Sequence, residues 1–539
     1  MMKRLVALLL TLMSLYLCAE EIIVTGSTNG TGNVTWTSDN TYVLNGFVFV
    51  NDGQTLNIEA GTVVKAMTGE GAEASALIVA RGGKIYAEGT KDEPIIFTSI
   101  VDDLTTPLDL RGLWGGLLIL GNGVINNSSG EEQIEGIPET EPRGKFGGSD
   151  DNDNSGVIKY VSIRYGGTEI GSGNEINGLS LGAVGSETVL EHIEIVWNKD
   201  DGIEFFGGKP NVKYLACAFC GDDAIDYDLS FRGNGQFWFA LQGEGLGEGE
   251  RAGEHDGGTD PEDGTPYAIP NISNVTYIGS GFGGVNEDNQ TFIFRDNAGG
   301  HYMNSIFYDF VKRAIEIEDL ASGHDSRERL ETGDLTLVNN LWFNCGSNDV
   351  SEMCKNEYEQ VLFTEAERHN SIVDPNFVSI SRTSNQMLNP RPMNNRVYEN
   401  VNIPTDSWFD QVDYCGAFNP SDEAELWLAG WSFLSQFGYL DETVGIDENL
   451  SPVSVDLLNC YPNPFNPETN ITFTLSKNEQ IKLAIFNERG ELVTNLYSGN
   501  LNSGNHSFKF DATGLTSGTY FYQLKTANST YNKKMVLIK

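Results

Sequence analysis

The sequence is poor in basic residues. Of its 539 residues, 34 are lysine or arginine and 76 are aspartate or glutamate, which gives a formal net charge of −42. A surface of that sign repels nucleic-acid phosphates and anionic membranes, so neither is expected as a partner. The same charge favours divalent cations or neutral glycans as ligands.

Cysteine and histidine are also scarce. The sequence holds seven cysteines and six histidines, without a His-Glu-x-x-His motif or a second Cys or His pair at zinc spacing. A zinc centre is therefore not expected. Cys345 and Cys354 bracket a short polar loop, and they are the predicted disulfide pair in a protein that leaves the cytoplasm.

The sequence begins with a continuous apolar run, and no other apolar run in the sequence is longer. Lys3 and Arg4 precede this run, residues 5–17, which is too short to span a bilayer. The pattern predicts a secretory signal peptide over residues 1–19. No other segment is predicted to cross a membrane, so the mature protein is expected outside the cytoplasm.

A repeat of 22 residues is the clearest positive feature of the sequence. Residues 189–208 align with residues 211–230, so that His192 falls on Tyr214 and Glu204 falls on Asp226. Each copy contains two short alternating runs, typical of strands, with an acidic turn between them. A fixed period of this length indicates stacked units. The sequence therefore predicts an all-β protein whose residues 20–443 form a right-handed parallel β-helix with caps and loop insertions.

The same register recurs elsewhere in the chain. Segments resembling the first strand place asparagine at the position of His192, namely Asn274, Asn304 and Asn340. Buried asparagines stacked from coil to coil can pair their side-chain amides. The spacing between coils varies, which predicts loops of different length on one side of the solenoid.

Three further segments interrupt the repeat. Residues 242–270 are low in apolar residues and are predicted to form a flexible loop. Residues 351–368 are predicted to be helical. Residues 408–440, rich in tryptophan and phenylalanine, are predicted to form the C-terminal cap of the solenoid.

The turns and second strands of the repeat are rich in carboxylates. Because Ile203 and Phe205 should point inward, Glu204 should point outward, roughly 4.8 Å from Asp226 of the next coil. Carboxylates at that distance repel unless water, protonation or a hard cation offsets the charge. Calcium takes six to eight oxygens, and its predicted ligands are Asp200, Asp201, Glu204, Asp222, Asp223, Asp226 and Asp228. A solvated acidic ridge, in which Asp200 or Asp222 caps a turn, is the alternative.

The same turns resemble those of polygalacturonases, which are parallel β-helices with an Asn-x-Asp coil followed by an Asp-Asp coil. Residues 198–201 read Asn-Lys-Asp-Asp, and residues 221–223 read Gly-Asp-Asp. The resemblance implies a polysaccharide hydrolase in which Asp201, Asp222 and Asp223 are catalytic.

Two features of that family are missing from the sequence. The Gly-His-Gly coil and the Arg-x-Lys clamp that bind substrate in polygalacturonases have no counterpart here, which argues against catalysis. A polysaccharide lyase would need calcium and a base, for which Arg232 and Lys209 are candidates.

The last 80 or so residues differ in pattern from the rest. Evenly spaced alternating strands predict a small antiparallel, Ig-like β-sandwich over residues 460–539, after a linker at residues 444–459. This module resembles the type IX secretion system C-terminal sorting domain, which implies export by the type IX secretion machinery. The residues that carry the resemblance include Pro462, Asn463, Pro464, Gly490, Gly518, Tyr520, Lys533, Lys534 and Lys539.

The body of the chain resembles uncharacterised surface proteins that carry such sorting domains. Its motifs include residues 114–116 (Trp-Gly-Gly), 200–208 and 412–418. The sequence therefore predicts an exported cell-surface or extracellular β-helix that binds polysaccharide or matrix and is stabilised by calcium. A polysaccharide-degrading enzyme and a purely structural surface protein are the alternatives.

Overall fold

The structure is a computed structural model that describes residues 20–171, 174–245, 249–321, 323–442, 455–461, 463, 465–475, 478–487, 492–526 and 530–539. The chain divides into two compact units, one ending at Val444 and one beginning at Gly445. The predicted signal peptide and residues 443–454, which include most of the predicted linker, lie outside the described residues. Among the described helices, none has the length and apolar character that a membrane span requires.

The first unit is a parallel β-helix, as predicted, with three strands in each coil. Equivalent strands of successive coils pair in parallel and form three columns. The first column contains Val34–Trp36, Thr55–Ile58, Lys84–Glu88, Asn271–Ser273, Gly300–Met303 and Leu335–Val338. The second contains Glu20–Thr25, Asn40–Asn45, Val63–Ala66, Ile95–Ser99, Thr276–Ile278, Ile306–Phe310, Leu341–Cys345 and Ser371–Ile372.

The third column forms a separate sheet of nine strands. Its members are Phe47–Val50, Ala76–Val79, Leu117–Leu120, Leu179–Gly182, Ile203–Phe206, Ile225–Asp228, Arg251–Asp256, Gln290–Arg295 and Ile315–Ile317. In the middle coils the first two columns are continuous, because four longer strands bend from one into the other. These strands are Gly156–Arg164, Val189–Val196, Asn211–Ala218 and Asn234–Leu241.

The bend in these strands lies at residues with a left-handed backbone. Tyr160, His192, Tyr214 and Phe237 have φ values of 48°, 55°, 56° and 59°. Their rings stack in a column with centroids 4.3, 4.4 and 5.0 Å apart. Left-handed backbone is unfavourable for such residues in isolation, so the stacked rings and the parallel pairing on both sides hold this corner in place. The alignment of His192 with Tyr214 is confirmed.

Asparagine continues the corner stack in the later coils, because its side chain tolerates the left-handed region. Asn274 and Asn304 occupy the predicted positions, with φ of 55° and 52°. The next member is Asn339, at φ 55°, and its Nδ2 donates to Asn304 Oδ1 at 3.0 Å. The prediction of Asn340 for this position is wrong, since Asn340 Nδ2 donates instead to the carbonyl of Tyr302 at 3.0 Å.

Inward-facing side chains from all three columns fill the interior of the solenoid. Leu215, Trp238, Ile203 and Phe205 are fully buried in one continuous core. Burying a side chain of this size contributes roughly 1.5–3 kcal/mol. Because a single coil cannot bury its inward-facing side chains by itself, they pack mainly against the coils above and below, which makes the stack the unit of stability.

Residues 242–270 contain a strand of the third column, so the prediction of a flexible loop is wrong for residues 251–256. His255 is fully buried, and its ring stacks 4.0 Å from that of Tyr227. Its Nε2 lies 2.8 Å from the hydroxyl of Tyr302, and burial lowers its pKa to about 3. A side chain at Gly253 would lie 2.4 Å from the His255 ring, so a glycine makes room for the imidazole in a strand with few apolar residues.

The helical segment predicted at residues 351–368 covers the last coil. It consists of short helices at Val350–Met353, Glu357–Gln360, Val361–Thr364 and Ala366–Arg368. Met353 and Leu362 are fully buried in the solenoid core, and the ring of Phe363 lies 5.3 Å from that of Trp342. This segment is therefore the C-terminal cap. Another helix, Ser326–Thr332, precedes the final coil.

Residues 388–442, which we call the strap, run along the side of the coils. The ring of Trp431 lies 5.5 Å from that of Tyr160, and Trp427 lies 5.6 Å from Tyr214. Gln436 Nε2 donates to the carbonyl of Leu104, at the other end of the unit, at 2.7 Å. The prediction that residues 408–440 form an end cap is wrong, because their aromatic rings cover the outer face of the corner stack.

A buried charged pair fixes the strap to the coils. Glu194 is fully buried and accepts the backbone N–H groups of Phe433 at 2.6 Å and Leu434 at 3.3 Å. Ser162 Oγ donates to Glu194 at 2.8 Å and accepts from Arg164 Nε at 2.9 Å. Charged groups in the interior are tolerated when they are paired and hydrogen-bonded in this way.

The remaining elements of the first unit lie in loops between coils or, from residue 377 onward, after the last coil and in the strap. They are the antiparallel pairs Glu132–Gln133 with Lys145–Phe146, Glu169–Gly171 with Asn174–Glu175, and Phe377–Ser379 with Asn389–Pro392, and the short helices Gly71–Glu73, Pro142–Gly144, Asn395–Tyr398 and Phe433–Gln436.

The described residues of the second unit form two antiparallel sheets, as expected for a small β-sandwich. One sheet contains Val455–Tyr461, Glu468–Leu475 and Gly504–Asp511, and the other contains Leu492–Leu501, Glu479–Asn487, Gly518–Lys525 and Thr530–Leu537. The predicted linker extends too far, because residues 455–459 are part of a strand that pairs with Glu468–Leu475.

The predicted disulfide bond between Cys345 and Cys354 is absent from the structure. Both residues are buried free thiols. Cys345 ends a strand of the second column, where its Sγ lies 3.5 Å from the carbonyl of Phe307. Cys354 instead forms a bridge to Ile315 in the third column, so the two side chains belong to different faces of the last coil.

Candidate functional site

Carboxylates line the outer face of the third column and the turn that precedes it. Glu204 pairs in register with Asp226, and the pairing of Tyr227 with His255 aligns Asp226 with Glu254. The turn residues follow the same register from coil to coil. We call this set the acidic ladder, and it consists of Asp200, Asp201, Glu204, Asp222, Asp223, Asp226, Glu250 and Glu254.

Backbone N–H groups of the next coil orient three carboxylates of the acidic ladder. Asp201 Oδ1 accepts from the N–H of Asp223 at 3.0 Å, and Asp223 Oδ1 accepts from the N–H of Arg251 at 2.5 Å. Asp226 Oδ1 accepts from the N–H of Glu254 at 2.9 Å. Each of these carboxylates therefore has a fixed position and a second oxygen that can meet another partner.

The acidic ladder contains three groups of carboxylates whose oxygens lie within 4.8 Å of one another. The first group is Asp200, Asp201 and Asp222. Asp222 is shared with the second group, which adds Asp223 and Glu250, and Asp223 is shared with the third, which adds Asp226 and Glu254. Five of the residues predicted as calcium ligands lie in these three groups.

Crowding and burial change the ionisation of these carboxylates. Burial, with the nearby Glu135 and Glu175 charges, raises the pKa of Asp200 to about 7. Burial and Glu250 raise the pKa of Asp222 to about 6. Burial is also the main cause that raises the pKa of Asp201 well above its ordinary value, and the Asp226 charge adds to it. A carboxylate in this condition is stabilised by taking up a proton or a cation.

Two arginines neutralise one end of the acidic ladder. Arg251 Nη1 lies 3.1 Å from Asp223 Oδ2 and 3.2 Å from Glu254 Oε1. Arg295 Nη2 lies 2.9 Å from Glu254 Oε2, and its Nε lies 2.7 Å from Asp256. Among the described residues, no comparable ion pair reaches the carboxylates of Asp200, Asp201 or Asp222. The charge of that first group is therefore the least compensated in the ladder.

Two of the predicted calcium ligands lie outside these groups. Glu204 Oε2 accepts from Asn177 Nδ2 at 2.6 Å. Burial, with Glu135 as the next cause, raises the pKa of Glu204 well above its usual range. Asp228 accepts the N–H of Leu229 at 2.5 Å, and burial raises its pKa to about 6. Neither residue shares a close group with the other predicted ligands among the described residues.

Two buried asparagines contact residues of the acidic ladder. Asn198 is fully buried, its Nδ2 donates to the carbonyl of Asp201 at 2.7 Å, and its Oδ1 has no hydrogen-bond partner among the described residues. Asn177 likewise uses its Nδ2 on Glu204 and leaves its buried Oδ1 without one. Calcium prefers oxygen ligands, carboxylates above all, so the close carboxylates of the first group are suitable donors for this ion.

The close carboxylate pairs of the ladder differ from the wide spacing of an inverting glycoside hydrolase. The oxygens of Asp201 and Asp222 lie within 4.8 Å, as do those of Asp222 and Asp223. Hydrolases that invert the anomeric centre hold their two carboxyl groups about 6.5–9.5 Å apart, and retaining ones about 5–5.5 Å. Asp201 and Asp223 are also each held by a backbone N–H.

The candidate lyase base Arg232 is occupied elsewhere. Its Nη1 and Nη2 donate to the two oxygens of Asp151 at 2.7 and 3.0 Å. Lys209 is exposed and follows the strand Ile203–Phe206 after Gly207 and Gly208. Of these two candidates, neither forms an ion pair with the acidic ladder among the described residues.

Sequence reasoning missed Glu250, Glu254, Arg251 and Arg295. Glu250, Glu254 and Arg251 could have been found from the sequence. Acidic residues flank Arg251-Ala252-Gly253 on both sides, and this pattern repeats the acidic turn and the outward carboxylate of the earlier coils. A separate group, Glu262, Asp296 and Glu318, also has oxygens within 4.8 Å of one another and was not predicted.

The predicted sorting residues lie at one edge of the second unit. Asn463 Oδ1 accepts the N–H of Val536 at 2.8 Å, and the Tyr520 hydroxyl donates to the carbonyl of Thr516 at 2.9 Å. Gly518 pairs with Leu537, and the final strand carries Lys533, which is exposed, and Lys534. The N–H of Lys539 donates to Ser517 at 3.0 Å. Pro462, Pro464 and Gly490 lie outside the described residues.

Comparisons with known proteins support this architecture. Residues 26–382 match the family model of a pectate-lyase like beta helix domain. Residues 459–539 match the model of a secretion system C-terminal sorting domain. No curated protein matches the chain.

A solved structure similar to the chain is the enzymatically active domain of tailspike protein 2 from Bacteriophage CBA120. It is 9% identical, with a TM-score of 0.24 over 92% of this chain and 72% of that chain. The sorting domain indicates export to the cell surface or the medium by the type IX secretion system. The chain belongs to the family of proteins with a pectate-lyase-like β-helix domain.

Proposed function

We propose that this exported β-helix binds an extracellular polysaccharide at the acidic ladder, with calcium held by Asp200, Asp201 and Asp222. The observation that carries this proposal is the group of three close carboxylates that forms no ion pair among the described residues. Sugar oxygens from the polysaccharide would complete the six to eight that calcium takes.

The two ends of the acidic ladder would have different roles. The first group would hold the cation, since cations favour the site with the largest uncompensated negative charge. The other end presents the half-exposed guanidinium of Arg295, which can donate hydrogen bonds to sugar hydroxyls or carboxylates. A glycan lying along the column would thus meet a bound cation and an arginine on the same face.

A polysaccharide lyase is the second candidate, because Arg251 lies among the carboxylates of the ladder. A lyase base must lose its proton. Burial lowers the pKa of Arg251, but the surrounding acids Asp223 and Glu254 outweigh it and raise that pKa above its already high value. That effect opposes proton abstraction at neutral pH. Binding without cleavage is therefore the function that the charges favour.

The test uses the full chain and a panel of neutral and acidic polysaccharides, with calcium or with chelator. Retention on the polymer and the formation of new reducing ends or unsaturated products are measured together. We expect calcium-dependent retention without cleavage, and its loss in the double variant Asp200→Asn with Asp222→Asn. Asp92→Asn, an exposed carboxylate outside the ladder, is the matched control.

Each other outcome has a definite meaning. New products that disappear in Asp201→Asn or Asp223→Asn would identify an enzyme and overturn the binding proposal. Retention that is equal with calcium and with chelator would remove the cation from the proposal. The absence of retention and of products for every polymer would favour a structural surface protein.

A further inference from the structure

The N-terminal end of the β-helix presents an open strand edge. Glu20–Thr25, the first strand of the second column, pairs on one side with Asn40–Asn45. Among the described residues, no strand pairs with its other side. The opposite end of the solenoid is different, because the short helices at residues 350–368 cover it. An uncovered strand edge is a template for pairing with another strand.

Alternate residues of this strand point their backbone groups to the free side. The N–H of Gly26 donates to the carbonyl of Asn45 at 3.2 Å, so Gly26 faces the paired strand. Because backbone groups alternate between the two sides of a strand, the N–H and C=O groups of Glu21, Ile23 and Thr25 point away from it. None of these groups has a hydrogen-bond partner among the described residues.

The side chains at this end leave apolar surface in contact with water. Ile23 is 59% exposed. Ile22 and Val24 point to the interior and pack on the end of the core, but they are only partly buried. Val34, in the first strand of the first column, is partly buried in the same way. Aliphatic side chains left half-covered at the end of a core favour a partner that removes them from water.

A second copy of the same strand matches this edge. A two-fold axis perpendicular to the sheet relates antiparallel strands, and placing Ile23 opposite the partner's Ile23 uses every free backbone group from Glu21 to Thr25. In this register Glu21 lies opposite Thr25, so carboxylates do not face each other across the pair. Ile22 lies opposite Val24, and both extend the apolar interior from one copy into the other.

We propose that two copies of this protein associate end to end by antiparallel pairing of Glu20–Thr25, centred on Ile23. Residues 1–19 are predicted to be a signal peptide, which export removes, so this segment is not the expected occupant of the edge. The helices at the opposite end leave no matching edge there, so pairing closes at two copies and does not continue into a filament. The inference goes beyond the function proposed for the acidic ladder, with which this edge shares no residue.

The test measures self-association of the full exported chain, Glu20 to Lys539, by sedimentation over a series of protein concentrations. We expect a reversible dimer with Kd in about the micromolar range, as a small contact gives. Ile23→Pro removes the outward N–H, which an unpaired edge does not need. This variant should therefore lose the dimer and keep a calorimetric Tm close to that of the native chain.

Charge changes at Thr25 test the register. Thr25→Lys places a cation opposite the partner's Glu21, whereas Thr25→Glu places a like charge there. We expect the first change to tighten the dimer and the second to weaken it, each by about two- to tenfold in Kd. Val101→Lys adds the same charge at an exposed apolar residue of another coil and should leave Kd unchanged.

The proposal is overturned if the chain stays monomeric at the highest concentration, or if the dimer survives Ile23→Pro. Shifts of the same sign in Thr25→Lys and Thr25→Glu would overturn it as well, because the register requires opposite signs. Asp200→Asn with Asp222→Asn should keep the dimer. Failure of this proposal is therefore distinguishable from failure of the function proposed for the acidic ladder.

Discussion

Removing the charge of Asp200 and Asp222 should change both the stability of the protein and its response to calcium. In the first group of the acidic ladder, the carboxylate oxygens lie within 4.8 Å of one another. At that separation, two charges repel by about 0.9 kcal/mol at the dielectric constant of water and by about 3.5 kcal/mol at an effective value of 20. The double variant Asp200→Asn with Asp222→Asn relieves this repulsion, so its Tm in chelator should exceed that of the native protein.

Calcium should stabilise the native protein and leave the double variant unchanged. A ligand at one hundred times its Kd stabilises the native state by about 2.7 kcal/mol. With an unfolding entropy of about 2.1 cal/mol/K per residue, over roughly 420 residues of the β-helix, this raises Tm by about 3 °C. The double variant has lost the anionic ligands, so its Tm should not respond.

Differential scanning calorimetry of both proteins, in chelator and in excess calcium, measures these four values. Glu262→Gln serves as the control, since it alters the separate acidic group and should keep the calcium response. The reasoning is refuted if the native Tm is equal in chelator and calcium, or if the double variant keeps the full shift. A loss of the shift in Glu262→Gln alone would move the cation to the other group.

Three further predictions concern the same fold. In chelator, the Tm of the native protein should approach that of the double variant as pH falls from 7 toward 4, because the folded pKa of about 7 for Asp200 and about 6 for Asp222 exceeds the unfolded value, so the native protein takes up protons in that window that the double variant cannot. A Tm difference that stays constant with pH in calorimetry would contradict this. His255→Ala should lower the unfolding free energy by roughly 3 kcal/mol in urea titrations, whereas a solvent-exposed loop residue would give almost no change. Glu194→Ala should cost roughly 3–5 kcal/mol and expose the strap to limited proteolysis, with Asp92→Asn as an unaffected control.

The regular coils could be predicted from the sequence because their residues carry the repeat directly. The alignment of Glu204 with Asp226 and of Asp201 with Asp223 required only an offset of 22 residues and the alternation of strand side chains. Parallel pairing then fixes which side chains become neighbours. The first group of the acidic ladder follows from the same register.

The coil at Arg251–Asp256 was not predictable from apolar periodicity. Its interior is filled by an imidazole over a glycine instead of a branched aliphatic side chain, so the strand resembles a polar loop. As a result, Glu250 and Glu254 were missed together with Arg251. The sequence also could not show whether Asn339 or Asn340 continues the corner stack, because the two are adjacent residues of the same type and only the structure shows that Asn339 adopts the left-handed backbone.

Long-range assignments failed for a related reason. Aromatic residues at 408–440 predict burial, but nothing in their spacing says which surface they cover. The Cys345–Cys354 pair is close along the chain, yet the coil directs the two residues to different columns. Neither the surface that residues 408–440 cover nor the columns that hold the two cysteines produces a periodic pattern in a single sequence.

The strap gives the molecule an order of assembly. Coil contacts join residues a few tens of positions apart, whereas the strap joins Gln436 to Leu104 and Glu425 to Lys91. Contacts between such distant residues form only when the intervening chain is present, and they are slow because of the loop they close. When the N-terminal part of the chain is present first, its coils can therefore stack early, but the corner stack of rings stays open to solvent. That surface closes when the last tenth of the β-helix unit arrives.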